Sequence, residues 1–258
     1  NPNQVHVLLT ACLATSCLAG DVERLARALG FDPTNQEDAN NALLCLGARV
    51  DGEAADAIGP FKRRFGFEDF QSTHHVGSKT VRVDDVLVVN IWVEERLSVA
   101  RGIDACLNRA PTDGPCSCDE CAPYGHVPDT SHTLVGNPPF VFVQLGAPVR
   151  SLCHDLEVSI ARSVYKLVAV CHYRGYDGAG HYTVIRRVDA SDPPQWCSLN
   201  DSTVSAPASL SQEQESTTML LYVHQDIFLV RGRQESAQRG FFSLNSHIFV
   251  HLQRAPTD

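Results

Sequence analysis

The spacing of apolar and polar positions changes along the chain. Near the N-terminus apolar residues recur at three- and four-residue intervals. Asp21 stands as an N-cap ahead of Val22, Leu25 and Leu29 on one helical face, and Gly30 occupies the C′ place where a left-handed residue closes a helix. A second helix is expected from Gln36, with Ala39, Ala42, Leu43 and Leu46 on one side, and a weaker helical pattern covers 53–65. From Thr80 the period becomes two: Val81 and Val83 alternate with polar residues, and a mainly apolar run covers 86–93. Further strands are expected at 140–145, 165–172, 181–188, 196–202, 219–224, 227–230 and 247–252. Helices come first and strands after, which is the order of an α+β fold.

Punctuation is sparse. The most loop-like stretch is 108–129, with four prolines, two glycines and three closely spaced cysteines. The expected organisation is a single domain of 258 residues carrying one excursion.

Composition narrows the class. The chain has 30 Asp plus Glu against 21 Lys plus Arg, a net charge of −9, with 43% hydrophobic and 20% charged residues. That is globular rather than disordered, and the acidic balance argues against a nucleic-acid partner and an anionic membrane surface. The longest apolar run, 5–19, is broken by His6, Thr10, Thr15 and Ser16 and is too short and polar to span a bilayer. Ten cysteines occur, most of them single within apolar runs, as Cys45, Cys106, Cys153 and Cys171 are. They read as reduced thiols of an intracellular protein, in cytoplasm or nucleus.

The chemistry concentrates late in the chain. The run YKLVAVCHYRG at 165–175 is an apolar strand ending in a turn, and Gly178-Ala-Gly180-His181-Tyr182-Thr183 opens the next strand. The two form a hairpin with His181 near its tip, directly after glycines that allow close approach of another chain. About fifteen residues on, Trp196-Cys-Ser-Leu-Asn200-Asp201-Ser202 ends in side-chain acceptors. An acceptor beside an imidazole fixes its tautomer, so Asn200 or Asp201 holding His181 is the base-and-orienter half of a nucleophilic triad. Taken singly, each part also has an ordinary structural reading: a lone strand histidine, and a turn at Asn-Asp-Ser.

These residues resemble a known family. Gly180-His181-Tyr182-Thr183, Trp196-x-x-x-Asn200-Asp201-Ser202-x-Val204-Ser205 and Thr218-Met-Leu-Leu-Tyr222 are similar to the histidine box of the ubiquitin-specific proteases, papain-like deubiquitinases. Pro138-Pro139-Phe-Val-Phe-Val-Gln-Leu145 resembles the strand after that family's zinc finger, and Gln36-Glu37-Asp38-Ala39 its Gln-x-Asp-Ala helix. The resemblance implies a papain-like cysteine peptidase with a helical thumb (1–66), β fingers (67–145) and a β-sheet palm (146–258). It implies ubiquitin or a ubiquitin-like modifier as partner and cleavage after the modifier's terminal glycine. By position His181 becomes the base, Asn200 the orienting residue and Asp201 a second polar group. Asp38 would contact the modifier's tail, and Gly180 and Tyr182 would line its path.

The nucleophile departs from the family pattern, whose Gly-Asn-Thr-Cys-like box is absent. Cys12 follows Thr10-Ala11 in a faint echo of that box and Cys17 is a second candidate. Alternatively 1–9 is already the helix, Asn3 is the family's downstream asparagine, and the cysteine lies ahead of Asn1. A structural zinc is also implied. Cys118-x-x-Cys121 has the spacing of one knuckle, and forty-odd residues earlier, where the family places a second pair, stand His74 and His75. A mixed site from Cys118, Cys121 and some of Cys116, His74, His75 and His126 is expected, against a metal-free finger. Three functions remain open: a thiol-dependent deubiquitinase, a viral papain-like polyprotein protease, and an inactive pseudoprotease that binds a ubiquitin-like partner.

Overall fold

The computed structural model describes residues 67–75, 78–86, 88–92, 98–107, 129–149, 152–176, 179–188, 192–200, 203–210 and 216–228, with scattered positions in 24–45 and Pro123. Two sheets dominate. A three-stranded antiparallel sheet has β1 (Phe67–His75) between β2 (Ser78–Val86) and β4 (Asp129–Val135). An eight-stranded mixed sheet contains β3 (Val88–Ile91), β5 (Phe140–Val149), β6 (Glu157–Ile160), β7 (Ser163–Tyr176), β8 (Ala179–Arg187), β9 (Trp196–Asn200), β10 (Thr203–Ser205) and β11 (Ser216–His224). Seven of its strands run in the order β10-β9-β8-β7-β11-β5-β3, and β6 pairs with β7 beside them. One nine-residue helix, α1 (Val99–Leu107), packs against this sheet. The α+β class is as expected.

Apolar strand residues divide between two clusters. One gathers Ile91, Val143, Tyr165, Val170, Ile185, Trp196, Leu220 and Tyr222 with Val99 and Ile103 of α1. The other gathers Ala169, Cys171, Tyr182, Val184, Leu199, Met219, Leu221 and Phe228 with Leu43. Alternation does the sorting: Val184 and Ile185, neighbours on β8, belong to different clusters. The β7–β8 hairpin forms as expected, with Gly175 opposite Gly180.

Several elements differ from the expected pattern. Strands β1 and β4 lie where no alternation was legible, because a buried core position on β1 is taken by Asp69, which accepts a hydrogen bond from His132 Nδ1 of β4 at 3.1 Å. Helix α1 was hidden by its brevity and by Gly102, although Val99, Gly102 and Ile103 form its buried stripe at helical spacing. Residues 225–228 form a helical turn rather than the start of a strand, with Phe228 buried under the Arg187 guanidinium. The first two helices are glimpsed: Arg24, Arg27 and Ala28 are helical, as are Asn41, Leu43, Leu44 and Cys45. Gly30 has φ +92° and its N–H bonds to the Arg27 carbonyl at 3.0 Å, the left-handed close expected of it. The segments 53–65 and 247–252 lie outside the described residues.

The sheets also partition the chain more finely than three consecutive blocks. β3, a strand of the large sheet, and α1, which packs on β3, β4 and β6, interrupt the 67–145 block, and the 145/146 boundary falls inside β5. Among the described residues no helix is long and apolar enough to cross a membrane.

Candidate active site

His181 is the third residue of β8 and Asn200 the last of β9. The register pairs Val184 with Leu199, so one further step sets Thr183 opposite Asn200. His181, two residues from Thr183, projects from the same face and lies diagonally across from Asn200, within reach of a long side chain. His181 Nε2 and Asn200 Oδ1 are 2.6 Å apart. A carboxamide oxygen only accepts, so Nε2 carries the hydrogen and donates it. The neutral ring then keeps its lone pair on Nδ1, directed away from Asn200. That is an imidazole prepared to take a proton.

The opposite face of the hairpin is aromatic. Tyr173 and Tyr182 are opposed in the β7–β8 register and their rings pack 4.7 Å apart. The Tyr173 ring lies over Gly175 and Gly180, and a Cβ at either glycine would run into it. Gly180 thus gives room to an aromatic side chain at the base of the tip. Tyr182 is buried in the cluster that contains Leu43, on the opposite face from His181. The structure therefore brings His181 and Asn200 together and sets Gly180 and Tyr182 behind them. Asp201, Cys12, Cys17 and Asp38 lie outside the described residues.

A second polar group sits deeper on the same sheet. Thr217 Oγ1 is 3.0 Å from His154 Nε2 and 3.5 Å from His172 Nδ1. The two rings meet edge to face at 6.0 Å. Burial holds both imidazoles below the usual histidine range, to about 4; Asp155 beside His154 works in the opposite direction, and so does the Leu210 carbonyl beside His172. Both rings are neutral at pH 7. Sequence reasoning passed over them because each sits in an otherwise unremarkable run.

Residues 23–222 match the profile of a protein family, the ubiquitin carboxyl-terminal hydrolases. The chain belongs to that family. The match covers both His181 and Asn200, and membership carries the papain-like fold, with the large sheet as palm and the three-stranded sheet as fingers. No curated protein is significantly similar to this chain. Among solved structures, a SAGA DUB module of Ubp8 with Sgf11, Sus1 and Sgf73, bound to monoubiquitin, is similar at TM-score 0.48 and 17% identity. The similarity covers 62% of this chain, which spans 40% of that one.

Cys116, Cys118 and Cys121 lie outside the described residues, as does the side chain of His75. Among the described residues no three His, Cys, Asp or Glu side chains gather as a metal site would require.

Proposed function

We propose that the protein is a thiol-dependent deubiquitinase that hydrolyses the isopeptide bond after the terminal glycine of ubiquitin or a ubiquitin-like modifier. The observation that carries this is the 2.6 Å contact between His181 Nε2 and Asn200 Oδ1 at adjacent strand ends, within the family match.

The chemistry follows from the tautomer. With Nε2–H engaged by Asn200, Nδ1 accepts the thiol proton, and the thiolate sulfur attacks the glycine carbonyl carbon. The imidazolium returns that proton to the departing lysine amine as the C–N bond breaks, leaving a thioester. Nδ1 then takes a proton from water, whose oxygen attacks the thioester. The carboxylate leaves, and the sulfur recovers a proton from the ring. Asn200 stays neutral throughout; it holds the ring plane and favours the charged form of the imidazole by continuing to accept its Nε2–H. The nucleophile is Cys12, Cys17 or a residue ahead of Asn1. Asp38 pairs with a basic residue of the modifier's tail, an ion pair that sets register more than affinity.

A structural zinc at the finger tip belongs to the same reading. β1 pairs with β4 so that His74 stands opposite Asp129 in backbone register. The strand bearing His74 and His75 is thus beside the chain that emerges from the cysteine-bearing segment 116–121. A borderline-soft cation suits such thiolate and imidazole donors.

The test is a ubiquitin probe with a thiol-reactive C-terminal warhead. We expect a covalent adduct whose labelled peptide identifies the nucleophile, and loss of the adduct in His181→Ala. An unlabelled chain that still binds ubiquitin would replace this reading with that of an inactive binding protein.

A further inference from the structure

One transverse row on the His181 face of the palm is polar across four strands. Thr217 of β11 stands opposite His172 of β7, and His172 opposite Thr183 of β8. One step beyond the Val184–Leu199 pair, Thr183 stands opposite Asn200 of β9. Directly opposed residues in antiparallel strands project to the same side, so all four share a face. Three are buried, with 2%, 1% and 4% exposure for Thr217, His172 and Thr183. Their neighbours on that face, Val170 and Ile185, are core.

Burying hydroxyls and an imidazole is unfavourable unless they are bonded, and a row of valines would pack at least as well. Packing therefore does not account for this row. Its inner end is anchored, since the Thr217 hydroxyl lies between the nitrogens of His154 and His172. Its outer end is Asn200, which holds His181. A slip of one residue between β8 and its neighbours would turn these polar groups into the wrong environment, so the row penalises every register but one.

We propose that Thr217, His172 and Thr183 are positioning residues, which fix β8 against β9 and thereby aim the Asn200 carboxamide at His181. The inference rests on the deubiquitinase reading for its consequence in turnover but not for its geometry. With the His154 and His172 imidazoles uncharged, the inner end of the row carries no change of charge through the neutral pH range.

The test uses the full chain and two substitutions close to the native shape, Thr183→Val and Thr217→Val, with Thr183→Ser and Thr217→Ser as counterparts that retain the hydroxyl. The first readout is nitrogen NMR of the His181 ring. The wild type is expected to hold the Nε2–H tautomer. Each valine variant is expected to show a mixed tautomer and a His181 titration displaced by at least ~0.5 pH unit, with both restored in the serine variants. The second readout is hydrolysis of a ubiquitin–fluorophore conjugate, where kcat is expected to fall about tenfold in the valine variants at unchanged KM. Valine variants that melt at lower temperature yet keep the wild-type tautomer and titration would overturn the proposal. A wild-type chain that does not turn over the conjugate would remove the deubiquitinase reading alone, because the NMR readout still decides whether the row positions His181.

Discussion

At the scale of single residues, the site depends on which acceptor meets His181. The sequence offers Asn200 and Asp201 side by side as acceptors, and the register sets Asn200 on the same face as His181 and diagonally across from it. His181 itself was legible, because a histidine after spaced glycines at a strand start reads as an exposed hairpin-tip base. His172 was not, since nothing in a linear string distinguishes a buried imidazole in a polar row from a core substitute. We predict that Asn200→Ala lowers kcat for ubiquitin–fluorophore hydrolysis by about 10²–10⁴, the range of a mispositioned general base, while Asn200→Asp, still an acceptor, stays within about tenfold of wild type. The inner imidazoles predict an acid sensitivity. Their native values lie near 4 against 6.5 for a free histidine. Above pH 6.5 both states leave them neutral and nothing differs; below it only the unfolded chain gains protons, so stability falls from about pH 6.5 down to about 4 and then levels off with respect to these groups. The slope is at most about 1.4 kcal/mol per pH unit for each ring. Thermal melts from pH 7 to 4 check it, and His154→Gln is expected to flatten the decline.

Two elements show how local rules are kept or broken. The start of α1 is capped twice: Ser98 Oγ accepts from the Arg101 N–H at 3.3 Å, and Asp155 Oδ2 accepts from the Ala100 N–H at 2.8 Å. The second cap comes from a loop 55 residues away whose Asp155 carbonyl also accepts from the Tyr222 hydroxyl at 3.0 Å, so one residue ties helix to sheet. Asp155→Ala is expected to destabilise by about 1–2 kcal/mol, seen as a lowered denaturation midpoint at unchanged slope. The β6–β7 turn breaks a rule. Ala161 and Arg162 sit at φ +50° and +70°, between the paired residues Ile160 and Ser163. Asn-Gly is the favoured pair for such a two-residue hairpin. Replacing both, Ala161→Asn with Arg162→Gly, should raise stability by about 0.5–1 kcal/mol, measured as an increased melting temperature. The same contrast explains what pattern reading found: hairpin β7–β8 announces itself through apolar runs and glycines, whereas β1 conceals its core position behind Asp69.

For the whole molecule, the family match spans palm, fingers and part of the thumb, and the proposed zinc would brace the tip of a sheet only three strands wide. Metal analysis of the purified chain is expected to find about one zinc, and chelation is expected to lower the melting temperature, with Cys118→Ser and Cys121→Ser reproducing the loss. The sequence by itself determined the α+β class, the hairpin and the imidazole at its tip, because period, turn chemistry and motif are local properties of a string. Tertiary structure alone decided that β3 and β5 run parallel in one sheet, that an aspartate can occupy a core position of β1, and that the Asn200 carboxamide comes within 2.6 Å of the His181 ring. Those outcomes depend on which strands become neighbours and in what register, and pairing between distant segments is fixed by the burial of the whole sheet rather than by any one stretch of it.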